Sequence, residues 1–448
     1  MQITADPEDI SGTELSFAEE LLLHAEVGGL RAVPFFDCTR NLSLVVQIQG
    51  TLNREALRTS LDVIIERHDV LRSRFVICNG RPARLKAQLA ATDFPIIDLW
   101  RLSPKHPCEI VTNIITPQLE RPFDLACGPL LRAFLVALTS NDHILAIAVH
   151  HIVFDRWSKR LLKLELSQCY NACATGRATD LKPLLNRYHD YVVWQRRHVT
   201  SERGRKLSAY WASQLTNLPN LMLTPDHKGR HVTTTESGTS SFTIPVEDVT
   251  RLVFLSRQFR TTLATTMLTI FKLFLHRLTD ADDIAVGVPL SDRRRPEFEQ
   301  LIGLFMNVVV VRTSIASTMT FLDLLDRVRR GLVNACLHQD LPYGYLLRTT
   351  GTRPPYRVIF NFLPNLPALD FDLIGLRTEP LGTQIQPESL ADISLQVSSD
   401  SGTLMCRLVY KAELFSQKCG STFARHLRLL ANAVLTGPQS RIDTYVIG

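Results

Sequence analysis

Residues 144–166 read ILAIAVHHIVFDRWSKRLLKLEL, and this run decides the fold class. Ile144 to Val149 is an unbroken apolar stretch of strand length, the pattern of a strand covered on both faces. The wider reading places the strand over His143 to Phe154. From Arg156 to Cys173, Trp157, Leu161, Leu162, Leu164 and Leu166 recur at helical intervals, with Asp155 placed to cap the helix N-terminus. A buried strand therefore gives way to a helix within a few residues, which is α/β architecture. At the junction stand His150 and His151. Neighbouring strand residues face opposite ways, so one of the pair can point into a given cavity while the other packs behind it. A neutral imidazole titrates near physiological pH and suits removal of a proton from an ammonium or hydroxyl nucleophile, an effect worth about 10² to 10⁴ in rate. Asp155, four residues beyond His151, has three open roles: orienting an imidazole, capping the next helix, or pairing with a distant arginine. No HExxH or third ligand points to zinc, and no GxSxG elbow points to a serine hydrolase.

Working outward, Pro129 to Leu138 reads as a second apolar strand. The turn-forming Thr139-Ser140-Asn141-Asp142 joins it to the first as a hairpin. Arg54 to His68 places Leu57, Leu61, Val63, Ile64 and Ile65 at near-helical spacing and feeds a strand over Val70 to Ile77. Ala174 to Asn186 (ATGRATDLKPLLN) lacks periodicity and carries Gly, Thr, Asp and Pro. It is the expected linker, giving a domain boundary near residue 185 and two segments, 1–185 and 186–448. The second segment repeats the mixed pattern. Helices are expected at Val246 to Phe259, Leu263 to Leu278, Phe321 to Leu337 and Ser421 to Leu435, and strands at Ile284 to Leu290, Val308 to Val311, Tyr356 to Phe362 and Leu404 to Val409. Neither GxGxxG nor GxxxxGK[ST] occurs, which disfavours a nucleotide-binding enzyme.

The 448 residues are enough for two domains of about 200 residues, each with a full core. A hydrophobic fraction of 45%, a charged fraction of 21% and a mean hydropathy of +0.04 exclude disordered and fibrous classes. The nearest approach to a membrane span, Met267 to Leu278, is broken by Lys272, His276 and Arg277. The opening MQITADPEDISGTELSF is acidic and polar where a secretory signal is basic and then apolar, so a cytoplasmic location is expected. The nine cysteines include no CxxC pair and read as reduced thiols. The net charge of +6 is dispersed except for Arg293, Arg294 and Arg295, which is no nucleic-acid stripe. One arginine of such a triplet can turn inward to meet a buried carboxylate.

HHIVFDRWS resembles the HHxxxDGxS signature of the condensation domains of nonribosomal peptide synthetases, relatives of chloramphenicol acetyltransferase. Other segments agree in order. LSFAEELLL from Leu15 resembles SxAQxRLW, though Glu19, Leu22 and Leu23 depart from it. RHDVLRSRF from Arg67 resembles RHExLRTxF, and PFDLACGPLLRA from Pro122 is close to PFDLxxGPLLRA. YHDYVVWQ from Tyr188 is similar to YxDYAxWQ, IGLFMNVVVVRT from Ile302 to IGxFVNTLxLRT, and HQDLPYGYLL from His338 to HQDLPFExLV.

The resemblance implies two chloramphenicol acetyltransferase-like subdomains in a V-shaped pseudo-dimer around a central tunnel, with HHxxxD at its middle. Carrier proteins would approach from the donor and acceptor sides, each presenting its substrate as a thioester on a phosphopantetheine arm, and the chain itself would bind no cofactor or metal. It implies that His151 is the general base or positions the acceptor amine, that His150 packs beside it, and that Asp155 is structural and pairs with Arg293. Helix N–H groups near Arg156 would face a developing oxyanion. Arg156 stands where the family has glycine, and is expected to narrow one entrance or to meet an anionic group of a substrate or pantetheine phosphate. Trp157, Ser158 and Asn307 complete the expected tunnel residues, Trp157 mainly by packing and Asn307 mainly by hydrogen bonding. The activity implied is amide formation between an acyl thioester and an amine. The alternatives are an ester-forming acyltransferase and a noncatalytic domain that recruits a partner enzyme. Heterocyclising members carry DxxxxD and epimerising members an EGHGRE-like motif, and this chain has neither. A monomer or part of a larger synthetase is expected.

Overall fold

The computed structural model describes residues 14–26, 40–78, 81–86, 93–100, 107–226, 237–350, 356–363, 371–382 and 391–446. The strand Asp142–His150 is buried from His143 onward because both of its faces are covered. Leu145, Ile147 and Val149 join a large core shared with the second half of the chain. Ile144, Ala146 and Ala148 turn to a smaller core with Ile110, Val111 and Ile115. This period-two division explains why the sequence run is apolar without alternation.

The strand lies at the centre of a five-stranded sheet ordered Arg377–Pro380, Asn41–Gln49, Asp142–His150, Leu131–Ala137, Ile96–Asp98. Its partners Asn41–Gln49 and Leu131–Ala137 are both antiparallel, the second through the expected hairpin. The edge strand Arg377–Pro380 comes from far along the chain and pairs antiparallel with Asn41–Gln49, Val46 opposite Pro380. A strand of the segment 186–448 thus completes a sheet otherwise built from residues before 185.

A six-stranded sheet runs in the order Ser237–Ile244, Thr403–Lys411, Ile393–Asp400, Val358–Leu363, Asp283–Ser291, Met306–Ser314. The helices Val246–Gln258, Leu263–Thr279 and Gln417–Thr436 contribute to its core through Leu252, Phe271, Phe274 and Leu430. The helix Phe321–Leu337 starts and stops where the sequence places it. Thr320 and Asp323 form a reciprocal capping box, and Leu324, Leu325 and Val328 supply the buried stripe. The two sheets are linked by one continuous hydrophobic cluster reaching from Leu15 to Tyr445. The architecture is therefore mixed α/β, with two sheet-and-helix units and no closed barrel. Among the described residues no helix is long and apolar enough to cross a membrane.

Candidate active site

The strand ends at His150, earlier than the sequence reading of His143 to Phe154, and a 3₁₀ turn spans His151–Val153. His150 itself causes the break, because its Nδ1 accepts a hydrogen bond from the Ile152 N–H at 3.1 Å and takes that donor out of the ladder. The ring stands edge-on to Phe123, with centroids 6.1 Å apart. Its Nε2 lies 3.6 Å from Oε1 of Glu26. Burial works to raise the Glu26 carboxyl, but the hydrogen bond from His150 and the charge of Arg40 hold it below its usual value. His150 is thus held between the helix Phe17–Glu26 and Phe123.

His151 is buried, 5% exposed, and its backbone N–H donates to the Arg40 carbonyl at 2.8 Å. Burial lowers its pKa from 6.5 to about 4, outweighing the raising effects of its backbone hydrogen bonds and of the Asp155 charge. At neutral pH the ring is therefore uncharged, with one nitrogen carrying a lone pair.

Asp155 resolves into two of its three candidate roles. It caps the helix Arg156–Ala174, Oδ1 accepting from the Ser158 N–H at 2.7 Å. Both of its oxygens also accept from Nη2 of Arg293, at 3.1 and 3.3 Å, and Oδ2 accepts from the Phe305 N–H at 3.0 Å. Arg293 is itself buried and donates through Nη1 to the carbonyls of Phe298 and Leu301, at 3.1 and 2.6 Å, while its guanidinium lies 4.0 Å over the Phe305 ring. The carboxylate is thus occupied by the cap and the arginine rather than by an imidazole. It also sits over the helix N-terminus, so the N–H of Ser158 points at Asp155 and not at an oxyanion.

Ser158 extends this clamp. Its hydroxyl donates to the Gly303 carbonyl at 2.8 Å and accepts from the Gly303 N–H at 3.0 Å and from Nη2 of Arg293 at 2.8 Å. Only glycine fits at 303, since a Cβ there would lie 2.2 Å from the Tyr188 ring. Asn307 is committed in the same way: Nδ2 donates to the carbonyls of Gln339 and Leu341, at 2.7 and 2.9 Å, and Oδ1 accepts from the N–H groups of Val308 and Tyr343, at 2.9 and 2.8 Å. Ser158 and Asn307, read from the sequence as tunnel residues, are buried with their hydrogen-bonding capacity used. Trp157 is half-buried, and its indole N–H donates to the Glu299 carbonyl at 2.9 Å. Arg156 is exposed in the first helical turn, and partial desolvation lowers its pKa.

Sequence reasoning missed the support around this clamp. Glu19 is fully buried, its Oε1 paired with Nη1 of Arg84 at 3.0 Å and its Oε2 accepting from the Ser16 N–H at 2.7 Å. Burial raises the Glu19 carboxyl against the lowering effect of Arg84. The S-x-x-E spacing of Ser16 and Glu19 is a capping-box signal that could have located it. His68 bridges the two halves, Nε2 lying 2.7 Å from Oε2 of Glu165 while Nδ1 accepts from the Ile302 N–H at 3.3 Å. A cavity of about 360 Å³ opens beside this bridge, lined among others by Arg67, His68, Arg187, Tyr188 and Ile302. None of His150, His151 and Asp155 lines it.

A family model described as the Condensation domain matches residues 39–447. A component of the linear gramicidin synthase of Brevibacillus parabrevis is 34% identical over 90% of this chain, and the phosphinothricin tripeptide synthetase PhsC of Streptomyces viridochromogenes is 32% identical over 89% of it. The chain spans only 8% and 37% of the length of these two relatives. Among solved structures, the X-domain from teicoplanin biosynthesis superposes with a TM-score of 0.86 over 99% of both chains at 22% identity, a likeness of fold. Two sheets clamped together through Asp155 and Arg293, a buried histidine pair at the strand end and a match along almost the whole chain have one reading: the protein belongs to the condensation domain family of nonribosomal peptide synthetases.

Proposed function

We propose that the chain is an acyltransferase that joins an acyl thioester, carried on the phosphopantetheine of a partner carrier protein, to an amine held on a second carrier, with amide as product. The observation that carries this reading is the state of His151, a buried imidazole kept neutral at the end of the strand Asp142–His150 beside a clamp that consumes Asp155. A thioester is already activated, so the protein has to align an unprotonated amine and accept its proton, and alignment alone supplies several kcal/mol. With a pKa near 4, His151 is a weak base but a good acceptor. It accepts a hydrogen bond from the acceptor N–H and so turns the amine lone pair toward the thioester carbon. As the C–N bond forms and the C–S bond breaks, the amine proton passes through the imidazole to the departing pantetheine thiolate. His150 and the Asp155–Arg293–Ser158 clamp fix the turn that carries His151 and take no proton. The tunnel implied by the family resemblance would give the two carriers opposite entrances, and the setting would be cytoplasmic.

The test offers the purified chain carrier-bound acyl thioesters with amine and alcohol acceptors, and repeats the panel with His151→Ala. Amide that disappears in the variant supports the proposal. Ester alone would move the assignment to an ester-forming acyltransferase. No product from any pair, with tight binding to a separate enzyme, would replace catalysis with recruitment.

A further inference from the structure

The cavity of about 360 Å³ beside His68 is left unused by the chemistry at His151. Three stretches of chain build it: the end of the helix Arg54–Arg67 with the turn Asp69–Arg72, the segment 184–188 that joins the halves, and residues 301–302 of the second half. Its size lies in the ordinary range of small-molecule sites, about 300–1,000 Å³. Val63, Leu184, Leu301 and Ile302 give it an apolar lining.

Two of its polar groups are already committed. His68 is 3% exposed; because Nδ1 accepts from the Ile302 N–H, Nε2 carries the ring proton and donates it to Glu165. Arg67 is held by Oε1 of Glu165 at 3.2 Å and by the Lys182 carbonyl at 2.7 Å. Three ionic groups remain. Glu66 and Asp69 line the cavity from the C-terminal end of their helix, where the helix dipole adds negative potential. Among the described residues neither carboxylate has an ion pair or a hydrogen bond. Arg187 lines the cavity from the joining segment, and its guanidinium has no ion pair among the described residues. Glu66 and Arg187 are exposed and Asp69 is half-buried, whereas Leu301 and Ile302 are buried. Charges of both signs thus stand at the mouth of an apolar pocket.

The wall at 301–302 belongs to the loop that holds the clamp. The Leu301 carbonyl accepts from Nη1 of Arg293 at 2.6 Å, and the next residue, Gly303, is bracketed by the Ser158 hydroxyl. We propose that the cavity binds a free α-amino acid with an apolar side chain, its ammonium between Glu66 and Asp69, its carboxylate on Arg187 and its side chain against Leu301 and Ile302. An ammonium suits two neighbouring carboxylates at a helix C-terminus, a carboxylate suits the arginine, and both contacts are charge-assisted. The bound molecule touches both halves and so holds the loop 301–303 against the helix Arg54–Arg67. The site is independent of the acyl-transfer reading, because none of these residues acts at His151.

Calorimetric titration of the whole chain with L-leucine tests it, alongside N-acetyl-leucine, which lacks the ammonium, and 3-methylbutylamine, which lacks the carboxylate. The parent is expected to bind leucine about tenfold more tightly than either analogue. Glu66→Gln/Asp69→Asn should bring leucine down to the affinity of N-acetyl-leucine, and Arg187→Gln to that of 3-methylbutylamine, with melting curves unchanged. Leucine that does not bind the parent, or binds it no better than the two analogues, overturns the proposal without recourse to variants. Leucine binding kept at parental strength in both variants overturns it as well, since the amino acid would then sit elsewhere, as at an acceptor position beside His151.

Discussion

Replacing Arg293 by alanine removes the buried cation that joins the two halves at Asp155. The side chain gives up its bonds to Asp155, to the Ser158 hydroxyl and to the carbonyls of Phe298 and Leu301, together with the face of Phe305. Asp155 is 2% exposed and would keep its charge without its partner, and breaking a buried pair in this way costs about 3–5 kcal/mol. An unfolding entropy of about 2.1 cal/mol/K per residue over 448 residues gives roughly 0.9 kcal/mol/K. The loss therefore lowers Tm by about 4 °C if the whole chain unfolds as one unit, and by more if a smaller unit does. Differential scanning calorimetry reads this directly. Asp155→Asn keeps one oxygen, enough for the Ser158 N–H but not also for the Phe305 N–H, and leaves Arg293 its bonds to the Ser158 hydroxyl and to the carbonyls of Phe298 and Leu301, so it should lose less than Arg293→Ala. Adding it to Arg293→Ala should recover part of the loss, because the stranded charge is gone. An Arg293→Ala protein that melts within 1 °C of the parent would refute the reasoning that this pair clamps the halves.

Two further expectations concern buried titrating groups. The His151 pKa is near 4 in the fold and near 6.5 in the unfolded chain, so the folded state holds fewer protons between these values. Its contribution is fully present above about pH 6.5 and is lost as pH falls toward 4. Asp292, raised to about 6 by burial against the lowering effects of Tyr191 and Arg294, runs in the opposite sense, so the His151 part is isolated by the parent-minus-His151→Gln difference. Imidazole NMR should find the ring neutral at pH 6, and a protonated ring there would contradict the proposed role. Lys272 is fully buried in the helix Leu263–Thr279, and its Nζ donates to the carbonyls of Ile284 and Val311 at 2.9 and 2.8 Å. Burial lowers it to about 7, so the folded state is destabilised as pH falls from about 10.5 toward 7 and the unfolded chain takes the proton first. Lys272→Met should flatten that pH dependence and leave stability at pH 7 equal or higher. A loss of more than about 2 kcal/mol at pH 7 by denaturant titration would show the two carbonyl bonds to matter more than the desolvation.

The parts of the fold legible in the sequence were those with strong local signals. Phe321–Leu337 carries its own capping box and apolar stripe, and Asp142–His150 is apolar because both faces are covered. The sequence reading also omits two interior strands, Asn41–Gln49 and Ile393–Asp400, in which polar residues interrupt the apolar run, and polar edges whose pairing partners decide them. Ser237–Ile244 (SGTSSFTI) and Arg377–Pro380 (RTEP) become strands only by lying against Thr403–Lys411 and Asn41–Gln49. Val70 to Ile77 reads as one strand, but Asp69–Arg72 is a 3₁₀ turn, so β-branched content overstated the extended run at its start. At the site, the histidine pair, the capping aspartate and the family's arginine position were readable. The Ser158–Gly303 bracket and the Glu19–Arg84 pair were not, because each joins segments far apart in the chain and depends on packing that no local window holds.

The central claim is that a neutral His151 aligns the acceptor amine for attack on the donor thioester. Single-turnover amide formation between a loaded donor carrier and an amine-loaded acceptor carrier, compared for the parent and His151→Ala at matched thermal stability, tests it most directly. The account predicts a fall of about 10² or more in the amide-forming rate with donor-carrier binding retained. An unchanged rate in the variant would contradict it.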